Sequence, residues 1–157
     1  MLKELKIKGC YLIKSKPIKD NRGDFSRVFC KNILKKKNIN FNIKQVNYSF
    51  SKTKGTLRGM HFSSFHLKEL KIVQCLSGEI FDMLIDLRKN STTYKKCIKN
   101  KLSDENYNSI LIAPGVAHGF QTVTNNVLIS YYTNIFYNKK FDLGINPLDQ
   151  KFLLNWP

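Results

Sequence analysis

Short apolar segments separated by turn-forming residues recur along the whole chain at a spacing of about ten residues. They are rich in Ile, Val, Leu, Phe and Tyr, whereas Gly, Asn, Asp, Ser or Pro occupy the intervals between them. This spacing predicts strands at 5–13, 25–29, 43–50, 56–62, 71–76, 80–87, 94–101, 109–112, 118–122 and 128–134. Many short, evenly spaced strands are typical of an all-β sandwich or barrel, and a double-sheet jelly roll fits the pattern better than an open sheet.

Two short helical pieces interrupt the predicted strands. One covers residues 31–37, and the other is a single turn over 103–106, where Ser103 can act as the N-cap ahead of two acidic residues. No linker, repeat or low-complexity stretch divides the 157 residues. We therefore expect one domain spanning residues 1–157, a length that suits a single core.

The formal net charge of +16 makes nucleic acid the first partner class to weigh. The lysines are scattered, however, and no RNP, zinc-finger or helix-turn-helix pattern accompanies the densest run, at residues 31–37. The charge therefore favours an anionic small-molecule substrate over nucleic acid.

No apolar run reaches the roughly 20 residues of a membrane-spanning helix, and no signal-peptide core follows Met1. The cysteines at positions 10, 30, 75 and 97 form no C-x-x-C pair, so we expect reduced thiols, with Cys75 in the core. These features predict a soluble cytoplasmic protein with no membrane contact.

Residues 80–88 alternate between the two faces of a predicted strand. Asp82, Leu84 and Asp86 share one face, and the apolar side chains between them share the other. Because two carboxylates cannot lie unpaired in a dry core, their face either points outward or lines a polar cavity.

Two glycine-containing segments carry histidines. In G-T-L-R-G-M-H-F, residues 55–62, Arg58 and His61 flank Gly59, and a regular strand would point them to opposite faces. Glycine often marks a bulge, which can turn both side chains toward one cavity. In A-P-G-V-A-H-G-F, residues 113–120, a Pro-Gly turn leads His118 into a strand.

Taken in order, these segments resemble the dTDP-4-dehydrorhamnose 3,5-epimerase family over nearly the whole chain. The resemblance is carried by D-N-R-G from Asp20, Q-V-N-Y-S from Gln45, T-L-R-G-M-H from Thr56, G-E-I-F-D from Gly78, D-L-R-K-N-S-T-T-Y from Asp86, L-S-D-E-N from Leu102, P-G-V-A-H-G-F from Pro114 and N-W-P from Asn155. It implies a cupin-like double-stranded β-helix that acts without a metal or other cofactor. The implied reaction is epimerisation at C3, with C5 left open, of a nucleotide-linked 4-keto-6-deoxy sugar such as dTDP-4-keto-6-deoxyglucose, in deoxysugar or surface-polysaccharide biosynthesis.

The resemblance also implies roles for individual residues. His61 would be the general base, Tyr131 the general acid, and Lys71 the group that stabilises an oxyanion at C4. The substrate-binding residues implied in the same way are Arg22, Gln45, Asn47, Arg58, His118 and Tyr137, the last by stacking on the nucleotide base.

The chemistry of a keto sugar explains these residue types. A 4-keto group acidifies the hydrogens on C3 and C5, so a base can remove a proton, an enolate forms, and an acid returns a proton from the opposite face. An imidazole with a pKa of about 6.5 suits the first step, and a phenol with a pKa of about 10 suits the last. An ammonium group stabilises the developing oxyanion, and guanidinium forks suit a diphosphate.

Two other functions remain open at this point. A metal-dependent cupin would hold iron, manganese or nickel through three imidazoles and a carboxylate, usually with an H-x-H pair, but Phe62 and Ser63 follow His61. A homologue that binds nucleotide sugars without catalysis is the second alternative. The resemblance to the epimerase family also implies a homodimer, in which an N-terminal strand crosses to the partner sheet.

Three features depart from the family's pattern. Arg27 stands where a glutamate is common, and the loop at 62–70 lacks the usual Gln-containing stretch. The sequence also ends at Pro157, before the S-x-K-D segment whose aspartate orients the catalytic histidine. We therefore expect another carboxylate to orient His61, with Asp82 and Asp86 as the candidates.

Overall fold

The computed structural model describes residues 1–152 and 154–157, and β-strands account for most of its regular structure. In chain order the strands are β1 (Leu2–Glu4), β2 (Tyr11–Lys14), β3 (Ile18–Asp20), β4 (Gly23–Phe25), β5 (Gln45–Ser51), β6 (Leu57–Ser63), β7 (Lys71–Ser77), β8 (Glu79–Asp86), β9 (Cys97–Ser103), β10 (Asn108–Ile112), β11 (Val116–Thr122), β12 (Val127–Thr133) and β13 (Asp142–Gly144). The helical elements are α1 (Lys31–Lys35) and 3-10 helices at Phe65–Leu67, Lys139–Phe141 and Gln150–Phe152.

Two antiparallel sheets face each other. The six-stranded sheet has the order β1-β2-β10-β7-β12-β5, and the five-stranded sheet has the order β13-β6-β11-β8-β9. Strands β3 and β4 form a separate hairpin. From β5 onward, every strand except β9 lies in the sheet opposite the strand before it, so the all-β jelly roll predicted from the sequence is confirmed.

The main hydrophobic core lies between the two sheets. Val73 and Ile129 from the six-stranded sheet and Leu84 and Phe120 from the five-stranded sheet belong to one cluster of fully buried side chains. Burying a side chain of this size contributes about 1.5–3 kcal/mol, so this contact area holds the sheets together.

Both faces of β8 are buried. Asp82 and Asp86 point inward on the face they share with Leu84 and are fully buried. On the opposite face, Met83 belongs to a buried cluster that Trp156 helps to cover. The expectation that the two carboxylates either point outward or line the interior is thus settled in favour of the interior.

Helix α1 lies outside the six-stranded sheet. Leu34 and Phe41 are buried against Ile72 of β7 and Leu111 of β10. This cover ends before β5, the edge strand, whose outward side chains remain exposed.

Several predicted elements differ in the structure. The single strand expected at 5–13 is wrong, because a turn separates β1 from β2 and the Cys10 N–H donates to the Ile7 carbonyl at 3.1 Å. Of the strand expected at 25–29, only Phe25 lies in a strand. The helical turn expected at 103–106 is wrong: Ser103 ends β9 and residues 104–106 form a turn, in which Ser103 and Asn106 exchange hydrogen bonds between side chain and backbone at 3.1 and 3.3 Å.

Other expectations are confirmed. Helix α1 begins at Lys31, as predicted, and Cys75 is buried in the core. Burial also raises the pKa of the Cys75 thiol to about 12 and that of Cys10 to about 11, so both thiols stay protonated at neutral pH. Within the described part of the chain, no helix has the length and apolar character needed to cross a bilayer.

Candidate active site

A cavity of about 560 Å³ opens between the two sheets, near the end of the barrel where β7 begins and β12 ends. Inward-facing side chains of β5, β6, β7, β11 and β12 form its walls, and residues 135–138 lie along its rim. Eight of the nine residues with an implied catalytic or substrate-binding role line it: Gln45, Asn47, Arg58, His61, Lys71, His118, Tyr131 and Tyr137.

A bulge between β6 and β11 brings Arg58 and His61 to the same cavity. His118 pairs with His61 and Phe120 pairs with Arg58, so β6 has one residue more than β11 over this interval. Gly59 lies inside the bulge with φ +113°, and a Cβ there would stand 2.5 Å from the Cα of Gly119. The bulge predicted from the glycine is therefore present, and close backbone contact excludes a side chain at this position.

His61 lies beside a carboxylate that the sequence analysis did not single out. Its Nδ1 is 3.9 Å from Oδ1 of Asp142, an electrostatic contact longer than a hydrogen bond. The contact exists because β13 pairs with β6, with Gly144 opposite His61. A negative charge at this place favours the proton on Nδ1, which leaves Nε2 as the basic nitrogen.

Neither carboxylate expected to orient His61 contacts it. Asp82 pairs with His118, and Asp86 binds Arg88 with Nε at 2.7 Å from Oδ1. That expectation was wrong because β8 lies on the far side of β11 from β6, which puts His118 rather than His61 beside Asp82.

Asp82 and His118 form a buried pair in the inner wall. Oδ2 of Asp82 is 2.6 Å from Nε2 of His118, and both residues are almost entirely buried. Since the carboxylate can only accept when ionised, Nε2 carries the proton and Nδ1 is the second ring nitrogen of this cavity-lining imidazole.

Tyr131 reaches the cavity from the sheet opposite His61. It lies on β12 of the six-stranded sheet, whereas His61 lies on β6 of the five-stranded sheet. Burial, with the negative charge of Asp82 as the next cause, raises the pKa of the Tyr131 phenol well above its usual range. The phenol therefore stays protonated at neutral pH, and the cavity holds a phenol and an imidazole on opposing walls.

Lys71 has a carboxylate partner inside the cavity. Its Nζ is 3.4 Å from Oε2 of Glu69, and the Ser63 hydroxyl donates to the same oxygen at 2.7 Å. Both charged side chains are less than one-fifth exposed, at 18% for Lys71 and 13% for Glu69. All three residues line the cavity.

Amide and aromatic side chains line the rim. Gln45 donates from Nε2 to Oδ1 of Asn47 at 3.0 Å and accepts from the Tyr137 backbone N–H at 2.9 Å. The Tyr137 side chain is 64% exposed, which leaves its ring face free for stacking. Arg58 is held at the wall because its Nε donates to the Ser51 hydroxyl at 3.1 Å.

Arg22 does not lie with the other predicted site residues. It is in the turn of the β3–β4 hairpin, fully exposed, and its nearest charged partner is Asp20, at 2.6 Å between Nη2 and Oδ2. It is not among the residues that line the cavity of its own chain.

The metal-dependent alternative lacks a donor set. Over residues 1–152 and 154–157, no group of three or more His, Cys, Asp or Glu side chains is arranged to hold a metal ion. The two cavity histidines, His61 and His118, each face a different carboxylate.

Comparison with known proteins gives a consistent picture. A family model described as dTDP-4-dehydrorhamnose 3,5-epimerase matches residues 4–157. A dTDP-4-dehydrorhamnose 3,5-epimerase from Sinorhizobium fredii is 35% identical over 153 residues, covering 98% of this chain and 78% of the relative.

Two solved structures show how closely the fold agrees. The Bacillus anthracis dTDP-4-dehydrorhamnose 3,5-epimerase, with TDP and pyrophosphate bound, matches with a TM-score of 0.96 and 30% identity, covering 100% of this chain and 90% of that one. The Legionella pneumophila dTDP-6-deoxy-D-glucose-3,5-epimerase, in complex with dTDP-4-keto-L-rhamnose, matches with a TM-score of 0.93 and 30% identity, covering 100% and 83%.

Proposed function

This chain belongs to the dTDP-4-dehydrorhamnose 3,5-epimerase family, and we propose that it epimerises a nucleotide-linked 4-keto-6-deoxy sugar, such as dTDP-4-keto-6-deoxyglucose, at C3. The observation that carries the proposal is the placement of a basic imidazole and a protonated phenol on opposing walls of one cavity. Epimerisation needs this arrangement, because the proton must leave one face of the carbon and return to the other.

The reaction begins with proton abstraction. Nε2 of His61 takes the C3 proton, and the electrons of the C–H bond move into the C4 carbonyl to form an enolate. Asp142 acts as a positioning residue, because its negative charge beside Nδ1 favours the productive tautomer. The ammonium of Lys71 stabilises the oxyanion at C4, a type of interaction that contributes several kcal/mol in dry sites.

Tyr131 completes the epimerisation. Its hydroxyl gives a proton to the opposite face of C3 as the enolate collapses to the ketone. The proton on His61 then passes through solvent to the phenolate, which restores both groups. The same cycle at C5 requires only that the sugar ring present that carbon to the same two groups, so C3 and C5 are separate experimental questions.

The remaining cavity residues suit the nucleotide. The Arg58 guanidinium can bind the diphosphate, and the imidazole of His118 offers a second polar contact. Gln45 and Asn47 offer amide groups along the wall, and the exposed ring of Tyr137 can stack on the base.

Proton NMR of dTDP-4-keto-6-deoxyglucose with the enzyme in deuterated buffer tests the proposal. We expect the C3 hydrogen signal to disappear and the epimeric product to form, and the C5 signal reports on the second centre. His61→Asn should abolish exchange and product. Tyr131→Phe should lower product formation by about a hundredfold or more while His61-dependent exchange at C3 continues.

The outcomes of these experiments distinguish epimerisation from binding without catalysis. Binding of the nucleotide sugar without exchange at any carbon would replace the proposal with a non-catalytic binding function. Full exchange by His61→Asn would contradict the assignment of His61 as the base.

We also propose that the protein is a homodimer that works in the cytoplasm. Val46, Tyr48 and Phe50 project from the outer face of the edge strand β5 and are 54%, 76% and 52% exposed. An exposed apolar stripe on an edge strand supports a second copy of the chain as its cover. All four cysteines are free, which supports a reducing compartment.

The β3–β4 hairpin supports the same assembly. Ile18 and Phe25 are 70% and 71% exposed on a hairpin that lies outside both sheets. In a dimer this hairpin can pack on the partner and carry Arg22 to the partner's cavity, where its guanidinium suits a diphosphate.

A further inference from the structure

We propose that Glu69 is the positioning residue of Lys71, holding the ammonium at the place where the C4 oxyanion forms. The inference rests on the proposed function for the role of Lys71. It concerns a carboxylate that lies inside a cavity for an anionic substrate, where an unpaired negative charge would repel a diphosphate.

Glu69 is itself held in place by a hydrogen bond. The Ser63 hydroxyl donates to Oε2 at 2.7 Å, and Ser63 is the last residue of β6, which carries His61 as well. Glu69 lies just before β7, which begins at Lys71. The hydrogen bond therefore ties the five-stranded sheet to the six-stranded sheet inside the cavity.

Lys71 takes its position from this fixed carboxylate. Its Nζ lies 3.4 Å from the oxygen that Ser63 binds, and no other carboxylate lies within ion-pairing distance of this ammonium among the described residues. A lysine side chain has a flexible stem of four carbons, and its ammonium group has three N–H donors. The ion pair with Glu69 restricts the ammonium to one part of the wall and leaves its N–H donors for the substrate.

The low exposure of Glu69 and Lys71 favours a role in the cavity over a role at the surface. Both partners are less than one-fifth exposed, so water screens this pair far less than the pair of Lys101 and Glu79, in which the lysine is 65% exposed. Glu79 and Lys101 lie away from the cavity and form a pair of the same two residue types. They supply a matched control.

The substitution Glu69→Gln tests the proposal. The amide oxygen can still accept from Ser63, so the change removes mainly the charge that holds Lys71. We expect kcat to fall about tenfold through misplacement of the ammonium. KM should stay unchanged or decrease, because a negative charge leaves the cavity. Glu79→Gln should leave both constants unchanged.

A double-mutant cycle distinguishes positioning from a general structural effect. In a Lys71→Met background, Glu69→Gln should change the residual kcat by less than about twofold, because the group it acts on is gone. An equal loss in both backgrounds, or no loss in the wild-type background, would overturn the proposal.

Crystal structures give a readout that does not depend on turnover. If the wild-type protein fails to exchange any hydrogen of the substrate, the proposed function falls, and the position of Lys71 still decides the inference about Glu69. We expect the Lys71 ammonium to leave its site beside residue 69 in Glu69→Gln and to stay there in Glu79→Gln. An unmoved ammonium in Glu69→Gln would contradict the proposal.

Discussion

At the scale of single residues, His61 depends on a neighbour far away in the chain. Asp142 stands 3.9 Å from its Nδ1, and the Tyr137 hydroxyl donates to the other carboxylate oxygen at 3.4 Å. The contact is partly exposed to solvent, so we expect it to act by orienting the imidazole rather than as a strong ion pair.

The substitution Asp142→Asn should therefore reduce turnover without harming the fold. The amide removes the charge that favours the proton on Nδ1, and we expect kcat to fall by about tenfold or more. Rates of C3 exchange followed by NMR give the measurement, and urea unfolding checks the stability. Glu105→Gln, a change of the same kind in an exposed turn, is the control. Undiminished exchange by Asp142→Asn would show that the imidazole orients itself without this carboxylate.

The resemblance to the family predicts which residues line the cavity, and the local sequence predicts one feature of their geometry. Arg58 and His61 share a cavity because Gly59 marks a bulge, and that signal is local. Asp142 could not be predicted, since its approach to His61 depends on the pairing of the three-residue β13 with the edge of β6. Arg22 lies in a recognisable motif, yet its own chain does not bring it to the cavity.

At the scale of elements, the packing of β6 against β11 sets the geometry of the cavity wall. A Cβ on Gly119 would stand 2.6 Å from the Sδ of Met60 and 2.9 Å from the carbonyl oxygen of Arg58. The carbonyl belongs to the bulge, so the flexible side chain of Met60 cannot relieve the whole clash.

Gly119→Ala should therefore destabilise the protein by about 1–3 kcal/mol through overpacking. The same change should reduce turnover, because it pushes β6, with His61, away from His118. Urea unfolding measures the first effect and C3 exchange the second. Wild-type stability together with wild-type exchange would show that the two strands separate freely at this point.

The sequence predicts the boundaries of strands that have a long alternating pattern. It does not predict boundaries that depend on the conformation of a turn. Strands β5 to β8 begin and end within two residues of their expected limits, because seven or eight residues of pattern define each of them. Strand β3 has three exposed residues with no apolar periodicity, and its pairing with β4 alone defines it. The sequence did not predict the turn at residues 104–106, because the side chain of Asn106 binds the backbone of Ser103 and this contact competes with helix formation.

At the scale of the whole molecule, Asp86 joins the end of β8 to the loop that follows it and, through Arg88, to the distant Lys8. Arg88 binds its carboxylate and also donates to the Lys8 carbonyl at 2.7 Å, while the hydroxyls of Ser91 and Thr93 donate to Oδ2. Burial opposes the charge of Asp86, but the hydrogen bonds from Arg88, Thr93 and Ser91 outweigh it and hold the pKa well below its usual range.

This depressed pKa predicts acid-dependent stability. Because the folded-state pKa lies below the unfolded value of about 3.9, the contribution of Asp86 is present above that pH and is lost as the pH falls toward the folded-state pKa. Asp86→Asn should lower the free energy of unfolding by about 3 kcal/mol at pH 7, since it leaves Arg88 without its partner. The difference from wild type in urea unfolding should shrink below about pH 4. A difference independent of pH would mean that Asp86 contributes through packing rather than charge.

The assembly of two chains links the exposed face of β5 to the cavity. Tyr48→Glu places a charge at the centre of the apolar stripe, so we expect sedimentation to show a monomer of 18.3 kDa instead of a dimer of twice that mass.

If Arg22 serves the partner's cavity, KM for the nucleotide sugar should rise in the Tyr48→Glu monomer, and Arg22→Ala should raise KM in the wild-type dimer. Arg22→Ala should then have no further effect in the monomer, because the cavity it serves is no longer within reach. The control Tyr94→Glu changes an exposed aromatic residue away from β5 and should leave both mass and KM unchanged. If the wild-type protein sediments as a monomer, or if Arg22→Ala has equal effects in both backgrounds, then the site is formed by residues of a single chain.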